Sequence, residues 1–317
     1  MNSVPMTGHS PDSVEQMLRA ELARGDAAIA HARPVMRYLL AHEGHALFSE
    51  AAVARVRGMM LDLAVQLLQA QAAAGEVLDR ARNCEERQDE LAVALMEDDA
   101  LLAHAQALVV EADLVERLQA RSGIDAVLSP LVQELAAEND ETAVALAMAL
   151  LAAQARFIQH CRRMELPLGE LPGDLFHAAL MTLRAYGGAS VGAAERRLRE
   201  SYDEGTSRIG LLARAVTGLG VRSKRALSID YAGAALFASA VAIASGLERD
   251  RVVLSFAEGH LVRLVLALRV VGLDQRTAEA QLVFIRPDLP LPGGVEQLPA
   301  DRAAELLASA DDSGAAN

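Results

Sequence analysis

Apolar residues return at every third or fourth position along most of this chain, and that spacing restricts the fold more than any other feature. Val14, Met17, Leu18 and Leu22 mark one such stretch; Val53, Val56, Met60, Leu63, Leu67 and Leu68 mark another. Residues so spaced share one face of a helix. No segment shows sustained apolar–polar alternation, so strands are not expected. Composition points the same way. Hydrophobic residues make up 52% of the 317, aromatic residues 3%, and there is no Trp. The apolar content is mostly Ala, Leu and Val, and Ala and Leu are strong helix formers and weak strand signals. Small side chains let helices approach closely but supply few rigid aromatic anchors.

Caps and breakers divide the pattern. Ser10 and Pro11 predict a first helix start, and Gly25 its end. A second helix is expected from Asp26, with a kink or restart at Pro34. Ser49 opens a long helix to about Gly75, a further run covers 76–96, and Asp98 or Asp99 caps the next. Gly123 breaks the chain, and Asn139 or Asp140 caps an apolar helix to about Met164. The stretch Leu166–Gly173 holds two prolines and two glycines in eight residues, which regular helix does not accommodate. It is taken as the boundary between an N-terminal half, 10–165, and a C-terminal half, 174–286. Shorter helices then follow, several of them separated by Gly, with Asp174 and Asp274 as caps. Residues 1–9 are expected to be disordered, and 287–317 to be a Pro/Gly-rich end with a short amphipathic piece at Asp301–Leu307 and a frayed tail. The expected fold is all-α, with about twelve to fifteen helices. They would form antiparallel hairpins, arranged as an irregular bundle or a degenerate HEAT-like α-solenoid.

Charge narrows the partners. The net is -13, so no global basic surface exists, and non-specific nucleic-acid or anionic-membrane binding is disfavoured. Lys224 is the only lysine among 30 basic residues. Codon bias in a GC-rich genome is the ordinary source of such an imbalance; it also makes Lys224 the sole candidate for Schiff-base chemistry. Cys84 and Cys161 lie far apart without a CxxC, which fits neither a disulfide framework nor a zinc finger. The N-terminus lacks the pattern of a secretory signal. The longest apolar run, Tyr231–Gly246, is short for a bilayer and reads as a core helix. A cytoplasmic protein without a transmembrane segment is expected.

No motif settles a chemistry. Gly188–Gly192 matches G-x-S-x-G around Ser190, but a nucleophile elbow needs a preceding strand, and HAALMTLRAY reads as helix. A helix–helix turn with a Ser cap is the plainer account. His42 and His45, with His31 upstream, could share a metal, yet HExxH is absent and Gly44 suggests a helix end. His160 and Cys161 are sequence neighbours, which point apart on a helix. Glu97-Asp98-Asp99 reads as helix capping. Gly218-Leu219-Gly220 lacks a third Gly and a preceding strand. No Walker A sequence occurs. No metal or cofactor is expected, and the residue set offers no convergent catalytic constellation.

One region is locally basic: Arg196, Arg197, Arg199, Arg208, Arg214, Arg222, Lys224 and Arg225. It could meet an acidic protein, or a phosphate backbone through a helix–turn–helix-like 209–231. It could equally be a solvated face balancing its own acidic neighbours.

The stretches FIQHCRRMELPLGELPGDLFHAAL (157–180) and LALRVVGLDQRTAEAQLV (266–283) resemble all-helical families of unknown function from GC-rich bacteria. The resemblance covers a third to a half of the chain and rests on texture. It implies a helical-hairpin or helical-repeat fold and a bacterial cytosolic setting, and brings no functional residues with it. The leading expectation is a non-catalytic interaction or regulatory protein that binds another protein through the arginine stretch. A homo-oligomer is also open. The alternatives are a small-molecule binder or enzyme with a pocket between helices near His177, Tyr186 and Tyr202, and a DNA-binding regulator through 209–231.

Overall fold

The computed structural model describes residues 14–28, 50–74, 82–187, 190–257, 261–287 and 298–315, with side chains for all of these except 82–86 and 311–315. Among them there are fourteen α-helices and no strand, an all-α fold. The helices are α1 (14–28), α2 (Glu50–Ala74), α3 (Arg82–Met96), α4 (Asp99–Ser122), α5 (Pro130–Ala136), α6 (Glu141–Arg163) and α7 (Gly173–Tyr186). They continue as α8 (Val191–Ser201), α9 (Arg208–Gly218), α10 (Ile229–Ser245), α11 (Arg249–Ser255), α12 (Val262–Val270), α13 (Gln275–Ile285) and α14 (Ala300–Ala315). A 3-10 helix, Gly220–Leu227, joins α9 to α10.

Several termini follow from the residues that read as caps. The Asp98 carboxylate accepts from the backbone N–H of Ala100 and Leu101, and Gly123 closes α4 with a left-handed φ of 66°. Asp140 accepts from Thr142 N at the start of α6, and Asp274 from Thr277 N at the start of α13. These bonds satisfy donors that a helix N-terminus leaves open. Two boundaries differ from expectation. Asp174 lies inside α7 rather than capping it, since the helix starts at Gly173 after Pro172. Helix α1 runs through Gly25 to residue 28, because one interior glycine costs only about 1 kcal/mol and packing overrides it.

The described residues form two compact units that divide within α10, between Ser239 and Ala240. The first contains α1 and everything from Ala240 onward. Val14, Leu18 and Leu22 are its buried α1 stripe, and every residue from Val262 to Leu268 is buried in α12. One of those is Arg263, 1% exposed, whose guanidinium pairs with Asp26 on α1. Arg302 of α14 bonds Glu15 of α1 at 2.6 Å. The C-terminal region expected to be a short piece and a frayed tail is instead a helix to Ala315, with Ala303, Leu306 and Leu307 buried.

The second unit, 50–239, is built on α2, which packs against α3, α4 and α8. Met60, Leu63 and Leu67 of α2, Leu95 of α3, Leu101 of α4 and Leu183 of α7 belong to one core, each with essentially no exposure. At roughly 1.5–3 kcal/mol per fully buried large apolar side chain, this stripe is the main force holding α2 in place. The Leu166–Gly173 stretch, expected as a boundary, lies inside this unit. Leu166, Leu168 and Leu171 enter the core. The stretch is also pinned to α2: Asp62 accepts from Leu166 N at 2.8 Å, and Gln66 accepts from Leu168 N and donates to Leu166 O, both at 2.9 Å. Irregular backbone whose polar groups are bonded can pack as tightly as helix. Residues 1–9, Pro34, His31, His42 and His45 lie outside the described residues.

Candidate functional site

The eight basic residues of the arginine stretch are placed in three settings. Arg208 is interior. It opens α9, is 3% exposed, and its guanidinium meets the Glu111 carboxylate of α4 with two bonds, 2.8 and 2.7 Å. It also bonds the Gln154 carbonyl of α6 at 3.1 Å and lies 3.7 Å from the centre of the Phe157 ring. Burial works to lower its pKa, but the Glu111 carboxylate, with Cys161 and Glu170, outweighs that and raises it. The expectation of a surface role fails for Arg208: a charge with no route to water has no route to a partner.

Arg222 and Arg225 belong to a second setting. Arg222 bonds Glu138 at 2.6 Å, Arg225 bonds Glu134 at 2.5 Å, and Tyr231 bonds both Glu134 and Arg225. The segment 209–231 is α9, an eight-residue 3-10 helix and the start of α10, with a 109° bend between the last two. Of its three arginines, Arg222 and Arg225 face acidic residues of this chain. Lys224 is exposed beside them. Arg214 donates to Gly205 O at 3.3 Å.

The third setting is the surface made by α7 and α8. Glu195, 7% exposed, is held from both sides: Arg184 of α7 at 2.9 Å and Arg199, one turn on, at 3.0 Å. Arg199 also bonds His177 Nδ1 at 2.9 Å, where its donor requires the unprotonated ring nitrogen. Arg196 is exposed one position on and makes no ion pair among the described residues. Arg197 turns away and donates to Ala73 O at the C-terminal end of α2, at 2.8 Å, where a helix carries partial negative charge. Arg184, Arg196 and Arg199 therefore bring three positive charges to one region around one buried carboxylate, with Glu200 following on α8. Arg184 is the member that sequence reading missed; it is separated from the others by the turn between helices.

The three residues expected near a pocket are engaged separately. Tyr202 stacks on Phe176, centres 4.0 Å apart, and donates to Leu171 O. Burial, then Glu204, pushes its phenol up to about 12. Tyr186 bonds Glu90 and lies under the Arg87 guanidinium. His177 meets Arg199. A half-open cleft lies elsewhere in the second unit. Its roughly 420 Å³ includes solvent at its mouth, and its walls are mainly apolar, with Val115, Leu150, Leu212 and Leu236 among them. Gln154 lines it while donating to Ala126 O at 3.1 Å. The cleft turns on Gly233, whose φ of 75° suits glycine and whose Cβ position is 3.2 Å from Ser129 Cβ.

The weaker motifs resolve locally. Ser190 stands at the N-terminal end of α8 with φ 70° but makes no capping bond. Asp98 is a cap, as expected of Glu97-Asp98-Asp99. Cys161 is 6% exposed, and burial pushes its thiol up to about 12, while His160 bonds Glu165 instead. Gly218 and Gly220 lie where α9 passes into the 3-10 helix. Among the described residues no cluster of three His, Cys, Asp or Glu could hold a metal ion.

Among the described residues one helix, α6, is long and apolar enough to cross a membrane by length and composition, and Gly220–Leu227 with α10 reaches that length only across its bend. No family model, curated protein or solved structure matches the chain.

Proposed function

We propose that this is a non-catalytic interaction protein that binds an acidic segment of another protein on the α7–α8 surface. The carrying observation is the Arg184–Glu195–Arg199 arrangement with Arg196 beside it, a local cationic surplus on a chain whose net charge is -13. Rim charges of this kind steer encounter and select partners by sign more than they add affinity. Binding should weaken with salt. Glu195 presets the two outer guanidiniums, so little side-chain entropy is lost on docking.

The test is a cross-linked pull-down of tagged protein at native level in its own host, comparing wild type with Arg196→Glu/Arg199→Glu. Arg184 remains to hold Glu195 in that variant, and far-UV circular dichroism checks the fold. A stoichiometric partner lost in the variant supports the reading; unchanged capture removes it. The cleft favours a second reading, a small apolar ligand seated against Gln154. Metabolite thermal-shift screening tests it, with Leu150→Gln as the control that should abolish a hit. DNA binding through 209–231 predicts retardation at low salt that Lys224→Ser diminishes.

A further inference from the structure

Helix α6 is anomalous for a helix packed in a folded protein. Among the described residues it is the single unbent helix both long and apolar enough to cross a membrane, yet only 28% of its most apolar window is buried. Its inner face meets α4, α5 and α9. Its outer face carries, at helical spacing, Glu141, Ala145, Met148, Ala152, Arg156, Gln159 and Arg163, all exposed. Met148 is 57% exposed. Glu141, Arg156 and Arg163 make no ion pair among the described residues. The stripe is thus acidic at the start, apolar in the middle and basic at the end.

We propose that this face is the two-fold interface of a homodimer, with α6 packed antiparallel on its copy about Ala152. The charge order selects that occupant. A two-fold axis at Ala152 sets each Glu141 opposite the other copy's Arg163, forming two identical pairs, as isologous contacts require. It also lays the Arg156 stem along Met148, where an arginine can cover apolar surface while its head stays wet. Ala152 on the axis allows the close approach of about 8 Å found for helices with small contact residues. A parallel pairing would put like charges together at both ends. One helix pair lies at or below the roughly 1,200 Å² of weak complexes, so the dimer is concentration-dependent.

Light scattering coupled to size exclusion, from about 1 to 100 μM, reads the association. The expected mass rises toward twice 33.7 kDa. Ala152→Glu, whose helicity is checked by circular dichroism, should stay monomeric. Glu141→Arg should weaken the dimer, and Glu141→Arg with Arg163→Glu should restore it. Wild type monomeric at every concentration overturns the proposal, as does a dimer that persists in Ala152→Glu or a double variant that fails to recover. Co-sedimentation of monomeric wild type with phosphatidylcholine vesicles, lost in Ala152→Glu, also overturns it and assigns the face to lipid.

Discussion

At the residue scale the Arg208–Glu111 pair shows what a sequence conceals. Glu111 interrupts an apolar stripe, VVEADLV, and that interruption is its one visible signal. Arg208 reads as one more member of a basic run. Only the packing of α4, α6 and α9 shows that the two neutralise each other. Removing one partner leaves an uncompensated buried charge, so Glu111→Ala should cost about 3–5 kcal/mol in urea denaturation, and Glu111→Leu with Arg208→Met much less. A double variant as unstable as the single one would contradict this account. Glu15 carries a second prediction. Its bond to Arg302 holds its carboxyl below the usual 4.5. A depressed carboxyl contributes stability above its unfolded value and loses it as pH falls through its folded value. Below pH 4.5, wild type should therefore lose more of its stability than Glu15→Gln, read as urea midpoints at pH 7 and about pH 3. Cys161, buried with its thiol pushed up, should resist iodoacetamide until the chain unfolds, as peptide mass spectrometry would report.

At the element scale, helix existence was legible because periodicity and caps agree. Asp98, Asp140 and Asp274 start helices, and Gly123 ends one, close to where their chemistry says. The expected boundary at Leu166–Gly173 was not legible as core, because its anchoring comes from Asp62 and Gln66, a hundred residues earlier. The same blindness covers glycines. An added Cβ would come within 2.4 Å of Met164 Cβ at Gly58 and 2.2 Å of Glu204 O at Gly210, whereas Gly192 and Gly218 face open space. Gly58→Ala and Gly210→Ala should destabilise by about 1–3 kcal/mol through forced helix separation. Gly192→Ala should be neutral or stabilising by about 0.5–1 kcal/mol. Thermal denaturation separates the two sets, and equal effects in all three would sink the close-approach argument.

At the scale of the whole molecule, the all-α class could be read from the chain, but the division of its helices could not. Sequence punctuation placed the break near 165–174, while the compact units divide within α10. The reason is the N-terminal helix: α1 joins a unit made of the last quarter of the chain, through Glu15–Arg302 and Asp26–Arg263. Removing residues 1–28 should therefore speed hydrogen exchange in α12 and α14, since Arg263 loses Asp26. The basic run likewise disperses into an interior pair, an intramolecular acidic contact and one outward surface. Spacing along the chain says nothing about which carboxylates will face it.

That outward surface is the central functional claim, and a site-specific photo-crosslinker tests it most directly. It would replace Arg196 in one strain and exposed Thr217 in another, each expressed at native level in the host. Cross-linking of one partner's acidic segment at position 196, absent at 217, is the expected result. No cross-link at 196, or equal cross-linking at both positions, would contradict the assignment of α7–α8 as the binding face.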